Sequence, residues 1–280
     1  MTEAKLKISS IKTLKGFMSG RACSDMLFNI LDSQFGHPSD SEERAAMPLA
    51  GGIMQNGYQC GMIWGSALAA GARAYRIYGP GPQAQARALI AAQRIVESFR
   101  EQNKHINCLE ITDLDKSSSA LKMITFFLIK GGTIGCARMA ARFAPLAYEL
   151  INEAYCEKDV EIPVSPISCS AMLAEKTGAS DRHQTLAAGL AGGIGLCGGA
   201  CGALGAAVWL MALKNLEKGS AKVDFKDPKA GGLVEKFLKA TNYEFKCSEI
   251  TGRKFESIED HAAYLRDGGC SKVIELLAQA

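Results

Sequence analysis

The chain has 280 residues and a mass of 29.8 kDa, enough for one large domain or two of about 140 residues that could each bury a core. A hydrophobic fraction of 48% with 22% charged residues describes a folded globular chain, and a net charge of only +3 with no basic run argues against nucleic acid as a partner. Charges run through the amino-terminal MTEAKLKISSIKTLKGF where a signal peptide needs an apolar stretch, so the expected location is cytoplasmic, where ten cysteines do not make a disulfide scaffold.

In chain order, residues 1 to 20 read as a weakly amphipathic leader, helical from about Ile8. Met18 to Leu31 reads as a helix carrying Cys23, with Met26, Leu27, Ile30 and Leu31 on one face. Phe35-Gly-His-Pro-Ser39 breaks it, and Ser39 or Asp40 caps an acidic-fronted helix. A glycine-rich segment, Pro48 to Ala72, follows. After the turn Gly79-Pro-Gly-Pro82, the alanine-rich stretch Gln83 to Asn103 is the plainest helix, with Ile90, Ile95, Val96 and Phe99 facing inward. Ala120 to Ile129 reads as a second apolar helix, Gly131-Gly132 as a break, and Cys136 to Ala154 as a helix opened by a cysteine. Tyr155 to Pro166, with two prolines and mixed charges, is the expected linker.

The second half repeats this order. It has a helix with Cys169, a glycine-rich segment from Gln184 to Leu213, a turn through Asp224 to Gly232, a helix over Leu233 to Thr241, Cys247, a helix over Ile258 to Leu265, Gly268-Gly269 and a terminal helix from Cys270. Leu49-Ala-Gly-Gly-Ile53 aligns with Leu190-Ala-Gly-Gly-Ile194, and Cys60-Gly61 then falls on Cys201-Gly202, at a constant offset of 141. Period-two alternation is nearly absent. The expectation is an all-α protein of two tandem homologous helical domains, residues 1–155 and 167–280, packed as a pseudo-dimer, with further homodimerisation open.

The Gln184 to Leu213 segment is thirty residues without a charge, long enough for a bilayer. Its copy carries Gln55, Asn56, Tyr58 and Gln59 in the middle, so a membrane span is not expected. Gly193-Ile-Gly195-Leu-Cys-Gly198 matches G-x-G-x-x-G, but no strand pattern precedes it and the copy lacks it, which argues against a dinucleotide site. His37, His105, His183 and His261 show no metal spacing and read as surface residues, while Trp64 and Trp209 read as core. No serine, histidine and aspartate grouping points to hydrolysis.

Four cysteines in each half hold equivalent places: Cys23-Ser24 with Cys169-Ser170, Cys60-Gly61 with Cys201-Gly202, Cys108-Leu-Glu-Ile-Thr112 with Cys247-Ser-Glu-Ile-Thr251, and Cys136 with Cys270, each after a glycine pair. The loops between them differ in length while order and neighbours survive. Cysteines serving only as small core hydrophobes would be free to differ between the copies.

The ordered cysteines with their glycine-rich lead-in resemble the redox-active family named for its C…GCAxxG…C…C pattern, over nearly the whole chain as two copies. The four-cysteine segment is similar also to that of split-Soret cytochrome c, where an iron–sulfur cluster accompanies haem; the haem motif C-x-x-C-H does not occur here. The first copy, Cys60-Gly-Met-Ile-Trp-Gly65, has Met62 for the motif alanine, and the second, Cys201-Gly-Ala-Leu-Gly-Ala206, has its glycine one place early. Cys197 is a possible extra ligand, and Cys156 has no counterpart.

The resemblance implies an electron-transfer protein or redox accessory subunit with redox partner proteins. Four thiolates are the usual complement of one [2Fe-2S] or [4Fe-4S] cluster, giving one cluster per repeat. Glycine allows backbone N–H groups to approach a negatively charged cluster, which makes Gly52, Gly61, Gly193 and Gly202 candidate cofactor-binding positions. The same cysteines also suit a cluster-free dithiol/disulfide oxidoreductase. Zinc and plain core filling remain open.

Overall fold

The computed structural model describes residues 15–16, 20–158 and 160–279, so the expected leader lies almost wholly outside the described residues. The protein is all-α. In the first half α1 spans Cys23–Gln34, α2 Asp40–Ala45 with a 3₁₀ turn Met47–Leu49, α3 Gly61–Tyr78, α4 Pro82–Asn103, α5 Cys108–Thr112, α6 Ala120–Ile124 running into a π-turn Thr125–Ile129, and α7 Gly132–Cys156. In the second half α8 spans Cys169–Lys176, α9 Asp181–Ala188, α10 Gly202–Glu217, α11 Pro228–Ala240, α12 Cys247–Thr251, α13 Ile258–Arg266 and α14 Ser271–Leu277.

Several boundaries differ from the sequence expectation for local reasons. Gly20 has φ +90° and Ala22 is extended, so α1 opens at Cys23 and not at Met18. The Asp25 carboxylate accepts from the Ala22 N–H at 2.7 Å and fixes that start. Asp227 caps α11 through the Lys229 N–H, with Pro228 in its first turn, so Gly231 and Gly232 lie inside a helix rather than a turn. The α7 helix continues through Tyr155, whose hydroxyl donates to the Ala70 carbonyl, so the expected linker is helical until Cys156. The apolar stretch over Ala120 to Ile129 turns outward: Leu121, Leu128 and Ile129 are 73%, 77% and 76% exposed.

One hydrophobic cluster runs through both halves, with Trp64, Trp209, Phe28, Phe99, Phe143, Phe237 and Phe245 fully buried within it. The halves pack reciprocally, α9 lying on α3 and α4 of the first repeat while α2 lies on α10 of the second. Contact is close enough that a Cβ at Gly71 in α3 would sit 2.5 Å from the Leu186 backbone of α9. Likewise a Cβ at Gly205 would lie 2.2 Å from the Trp64 ring. Trp64 donates to the Gln59 carbonyl at 3.1 Å and Trp209 to the Glu42 carbonyl at 3.0 Å, so both indoles have their polar atom satisfied.

The interface also carries charge. Arg182 grips both oxygens of the buried Glu42 at 2.8 and 2.7 Å, and His183 lies 3.0 Å from the same carboxylate. Burial works against that charge, but Arg182 and His183 outweigh it and hold Glu42 at about 2. Nearby Asp32 has no cation to itself. Burial, then Glu43 and Glu42, push it up from 3.8 to about 8.

No single helix among the described residues is long and apolar enough to cross a membrane.

Two predictions follow from this packing. Gly71→Ala should gain about 1 kcal/mol of helix propensity and yet destabilise the protein by about 2 kcal/mol net in urea unfolding, because α3 must move off α9. A net gain would mean that the halves do not pack as described. The second concerns pH: the folded state binds the Asp32 proton more tightly than the unfolded chain, so its ionisation removes stability as pH rises from 3.8 to about 8. Asp32→Asn should flatten that decline in urea midpoints measured across the window, and an unchanged slope would rule Asp32 out as its source.

Candidate redox centres

Each motif cysteine is delivered by an unusual piece of backbone. From Gly51 to Gln55 five consecutive residues have positive φ, between 48° and 73°, and from Gly192 to Leu196 the same five places do so again, between 56° and 77°. This is a left-handed turn in both repeats, and it includes Ile53, Met54, Gln55, Ile194 and Leu196, which pay a steric penalty there that glycine does not. The turn is closed by parallel sets of bonds, such as Ile53 N–H to Leu49 O and Gly57 N–H to Gly51 O, matched by Ile194 to Leu190 and Gly198 to Gly192.

Gly52 and Gly193 sit where this turn folds back on its own chain. A Cβ at Gly52 would meet the Tyr58 nitrogen at 2.2 Å, and one at Gly193 the Gly199 nitrogen at 2.5 Å. Gly61 and Gly202 open the helices that follow and admit the preceding repeat elements: a Cβ would lie 2.5 Å from Cys23 Sγ at Gly61 and 1.7 Å from Leu190 O at Gly202. The backbone bonds that reach the first cysteines come from the residues before the expected glycines, Gly51 to Cys23 and Gly192 to Cys169.

After the turn, single antiparallel bridges pair Gln59 with Asn107 and Ala200 with Lys246. They tie the second cysteine to the third. Cys60 N–H donates to Ile106 O at 2.7 Å and Cys108 N–H to Tyr58 O at 2.6 Å, while Cys201 N–H donates to Phe245 O at 2.9 Å and Cys247 N–H to Gly199 O at 2.6 Å. Cys60 and Cys201 then cap α3 and α10, where backbone bonds from Met62 in one repeat and from Leu204 and Ala203 in the other stabilise negative charge on sulfur. Thr112 and Thr251 fix the third cysteine's turn through hydroxyl bonds to the Cys108 and Cys247 carbonyls, at 2.7 and 2.8 Å. Cys270 caps α14, but Cys136 lies in the second turn of α7 and not at its start, because that helix opens at Gly132.

The structure brings together all four expected cysteines of each half. In the first, Cys23 adjoins Cys60, which holds Cys23 down and drives Cys60 well up. Burial and then the charge of Cys23 push Cys108 to about 11 and Cys136 to about 12. In the second, burial and Cys169 push Cys201 to about 12, and burial with the neighbouring sulfurs raises Cys247 and Cys270. Apart from Cys169 beside His261, these shifts describe sulfurs that burial and neighbouring charge keep protonated. Among the described residues no three of His, Cys, Asp and Glu converge closely enough to hold a single metal ion.

The two sites differ in their walls. Cys23, Cys108 and Cys136 line an open, mostly apolar cavity of about 310 Å³ with Gly51, Leu114 and Phe127. Around the second set, Cys169, Cys201 and Cys247 are buried, and an aromatic layer lies beside them: Phe255 packs at 4.7 Å on His261 and at 5.1 Å on Tyr264, which adjoins Cys270. His261 is fully buried, which corrects the surface reading; it lies on the inner face of α13 with Ala262 and Leu265. Burial raises the Cys169 thiol, but the adjacent His261 and the Gly192 bond outweigh it and hold it low. The other three histidines are at least partly exposed.

Cys197 donates its S–H to Gly193 O at 2.7 Å and acts electrostatically on Cys247, so it lies beside the second set. Cys156 is exposed at the end of α7. Gln59, which the sequence marked only as a polar residue within the glycine-rich segment, crosses between repeats: fully buried, it donates to Gly193 O at 2.9 Å and accepts from Ala200 N–H at 2.8 Å. Its own counterpart is Ala200, so the crossing has no symmetric mate. The G-x-G-x-x-G match follows helix α9, and there is no strand before it.

No curated protein and no solved structure matches the chain. A family model described as "Putative redox-active protein (C_GCAxxG_C_C)" matches residues 21–150 and again residues 167–280. Two matches that together take in most of the chain, on a fold whose two halves each gather the four motif cysteines, place this protein in the C_GCAxxG_C_C redox-active family as a tandem duplication.

Proposed function

We propose that each repeat holds one iron–sulfur cluster, through Cys23, Cys60, Cys108 and Cys136 in the first and Cys169, Cys201, Cys247 and Cys270 in the second, and that the chain carries electrons between partner proteins. The observation that carries this reading is the gathering of four thiols per repeat beneath a turn whose backbone donors point at sulfur. Thiolates are the ligands iron–sulfur clusters use, and cations among these sulfurs would offset the burial and the neighbouring negative charge that now keep most of them protonated. In the first repeat three of the four thiols, Cys23, Cys108 and Cys136, line a cavity rather than meet at one point, which leaves room for a cluster's own atoms. A cluster of either two or four irons fits this donor count. When bound, it supplies one-electron chemistry; the chain supplies thiolates, backbone donors and an apolar wall that limits water.

In this reading residues 1–155 and 167–280 act as the two halves of a pseudo-dimer, one centre in each. The exposed Leu121, Ile124, Leu128 and Ile129 lie on the same segment as Phe127 at the cavity wall, and they offer a redox partner an apolar landing beside the first centre.

Anaerobic purification tests the proposal. Protein from iron-replete cells should contain iron and acid-labile sulfide in matching amounts and a visible absorbance that dithionite bleaches; colourless, iron-free protein sinks it. Cys60→Ser should lose the first centre and keep the second, and Cys201→Ser the reverse. Equal loss of both centres in either variant would show a single shared site.

A second reading, a dithiol couple, is favoured by the adjoining Cys23–Cys60 pair alone. Oxidation of the two thiols to a disulfide would pass two electrons and two protons to an external disulfide. In metal-free, reduced protein near about pH 8, iodoacetamide should label Cys156 and Cys23 well before Cys136 and Cys201, whose thiols stay protonated. A uniform labelling rate would contradict the arrangement of charges on which both readings rest.

A further inference from the structure

The segment that walls the first centre carries one sign of charge. After Asp115 the chain has no carboxylate side chain until Glu149, and between them stand Lys116, Lys122, Lys130, Arg138 and Arg142. All five are exposed. Lys122 pairs with Asp113 at 3.0 Å, whereas the side chains of the other four enter no ion pair among the described residues. The second repeat differs at the matching place, where residues 258–277 carry Glu259, Asp260, Asp267 and Glu275. The basic stretch belongs to the first repeat alone.

These cations flank an apolar centre. The arm formed by α6 and the π-turn meets α7 at 61°, and it carries the mostly exposed Leu121, Leu128 and Ile129. Exposed apolar side chains gathered in this way mark a recognition surface. Their neighbour Phe127 lines the cavity with Cys23, Cys108 and Cys136, so whatever covers the patch comes to rest beside three thiols of the first centre. Further along α7, Arg138 and Arg142 line an open groove of about 580 Å³ with Gln102 and Asn103. Guanidinium forks one turn apart suit carboxylates, to which the two amides can also donate. A bilayer has no side chains to enter such a groove, and hydrocarbon cannot accept an electron.

We infer that the partner of the first centre is an acidic redox protein, which seats an apolar surface on the arm at Leu121, Leu128 and Ile129 and carboxylates on Lys130, Arg138 and Arg142. That this partner exchanges electrons rests on the cluster reading; the docking chemistry does not. Cytochrome c supplies a matched pair of probes, since succinylation of its lysines turns a cationic protein anionic. Calorimetric titration at low salt should show the succinylated form binding about tenfold tighter than the native one, and added salt should erase the difference by screening. Lys130→Glu with Arg142→Glu should reverse the preference. Lys236→Glu with Lys239→Glu, at two exposed bases on α11, changes the net charge equally and should leave the preference in place. Leu128→Ser should weaken binding at low and high salt alike, because its contribution is apolar.

Equal or tighter binding of the native probe would overturn the inference. Equal effects of the two charge-reversal pairs would overturn it too, since the preference would then follow net charge. Cosedimentation with phosphatidylglycerol-containing vesicles, lost in Leu128→Ser while neither probe binds, would replace the acidic protein with a membrane surface. Binding can be read on iron-free protein as well. A preference for the succinylated probe on a chain without iron would defeat the cluster reading and keep the docking surface, while clusters on a chain without that preference would do the reverse.

Discussion

The left-handed turn at Gly51–Gln55 and Gly192–Leu196 is the constraint on which the rest of the structure depends. It puts a backbone donor on the first cysteine, reverses the chain into the bridge that ties the second cysteine to the third, and releases it at the first turn of a long helix. Left-handed conformation costs an ordinary residue about 1–2 kcal/mol, and five of the ten residues involved are not glycine. Complete burial of Ile53 and Ile194 offsets part of that cost, at about 1.5–3 kcal/mol for a large aliphatic side chain. Such a strained segment survives only where its surroundings dictate it.

For the second turn, part of those surroundings comes from the opposite repeat. Gly195 rests against the backbone of α4, where a Cβ would lie 2.3 Å from the Gln93 nitrogen, and the Gln59 amide bridges from the first repeat to the second turn. Coupling between halves is therefore built at the sites themselves and not only in the shared core. The Glu42, Arg182 and His183 cluster adds a charged clasp, and removing one partner of such a buried pair leaves an uncompensated charge inside.

Duplication let the two sites diverge on a common backbone. The offset of 141 holds for the turn, the near side of the bridge and the helix cap, because close backbone approaches tolerate no other geometry, while the far side of the bridge, Asn107 against Lys246, has slipped to 139. The walls are freer. The first site opens through the segment around Phe127, whereas the second is closed by Phe255, His261 and Tyr264 from the region that the loop lengths set apart.

Much of this was legible in the sequence. The duplication, the all-α class and the eight cysteines that gather were readable because tandem copies share local neighbours, and because helical period and glycine breaks are local signals. Gln59 and His261 were not. Gln59 matters through a contact 134 residues away, and no local pattern announces it. His261 does fall on the apolar face of α13 with Ile258 and Leu265, a spacing consistent with burial, but only the tertiary fold places it against Cys169. Nor could composition tell that Ala120 to Ile129 would face outward, since an apolar run fits a core or an exposed landing equally. Sequence by itself determined which cysteines belong together and in what order. Tertiary structure decided which wall covers each set, because that depends on distant segments meeting, and the physical chemistry of a redox centre is set by what its ligands touch.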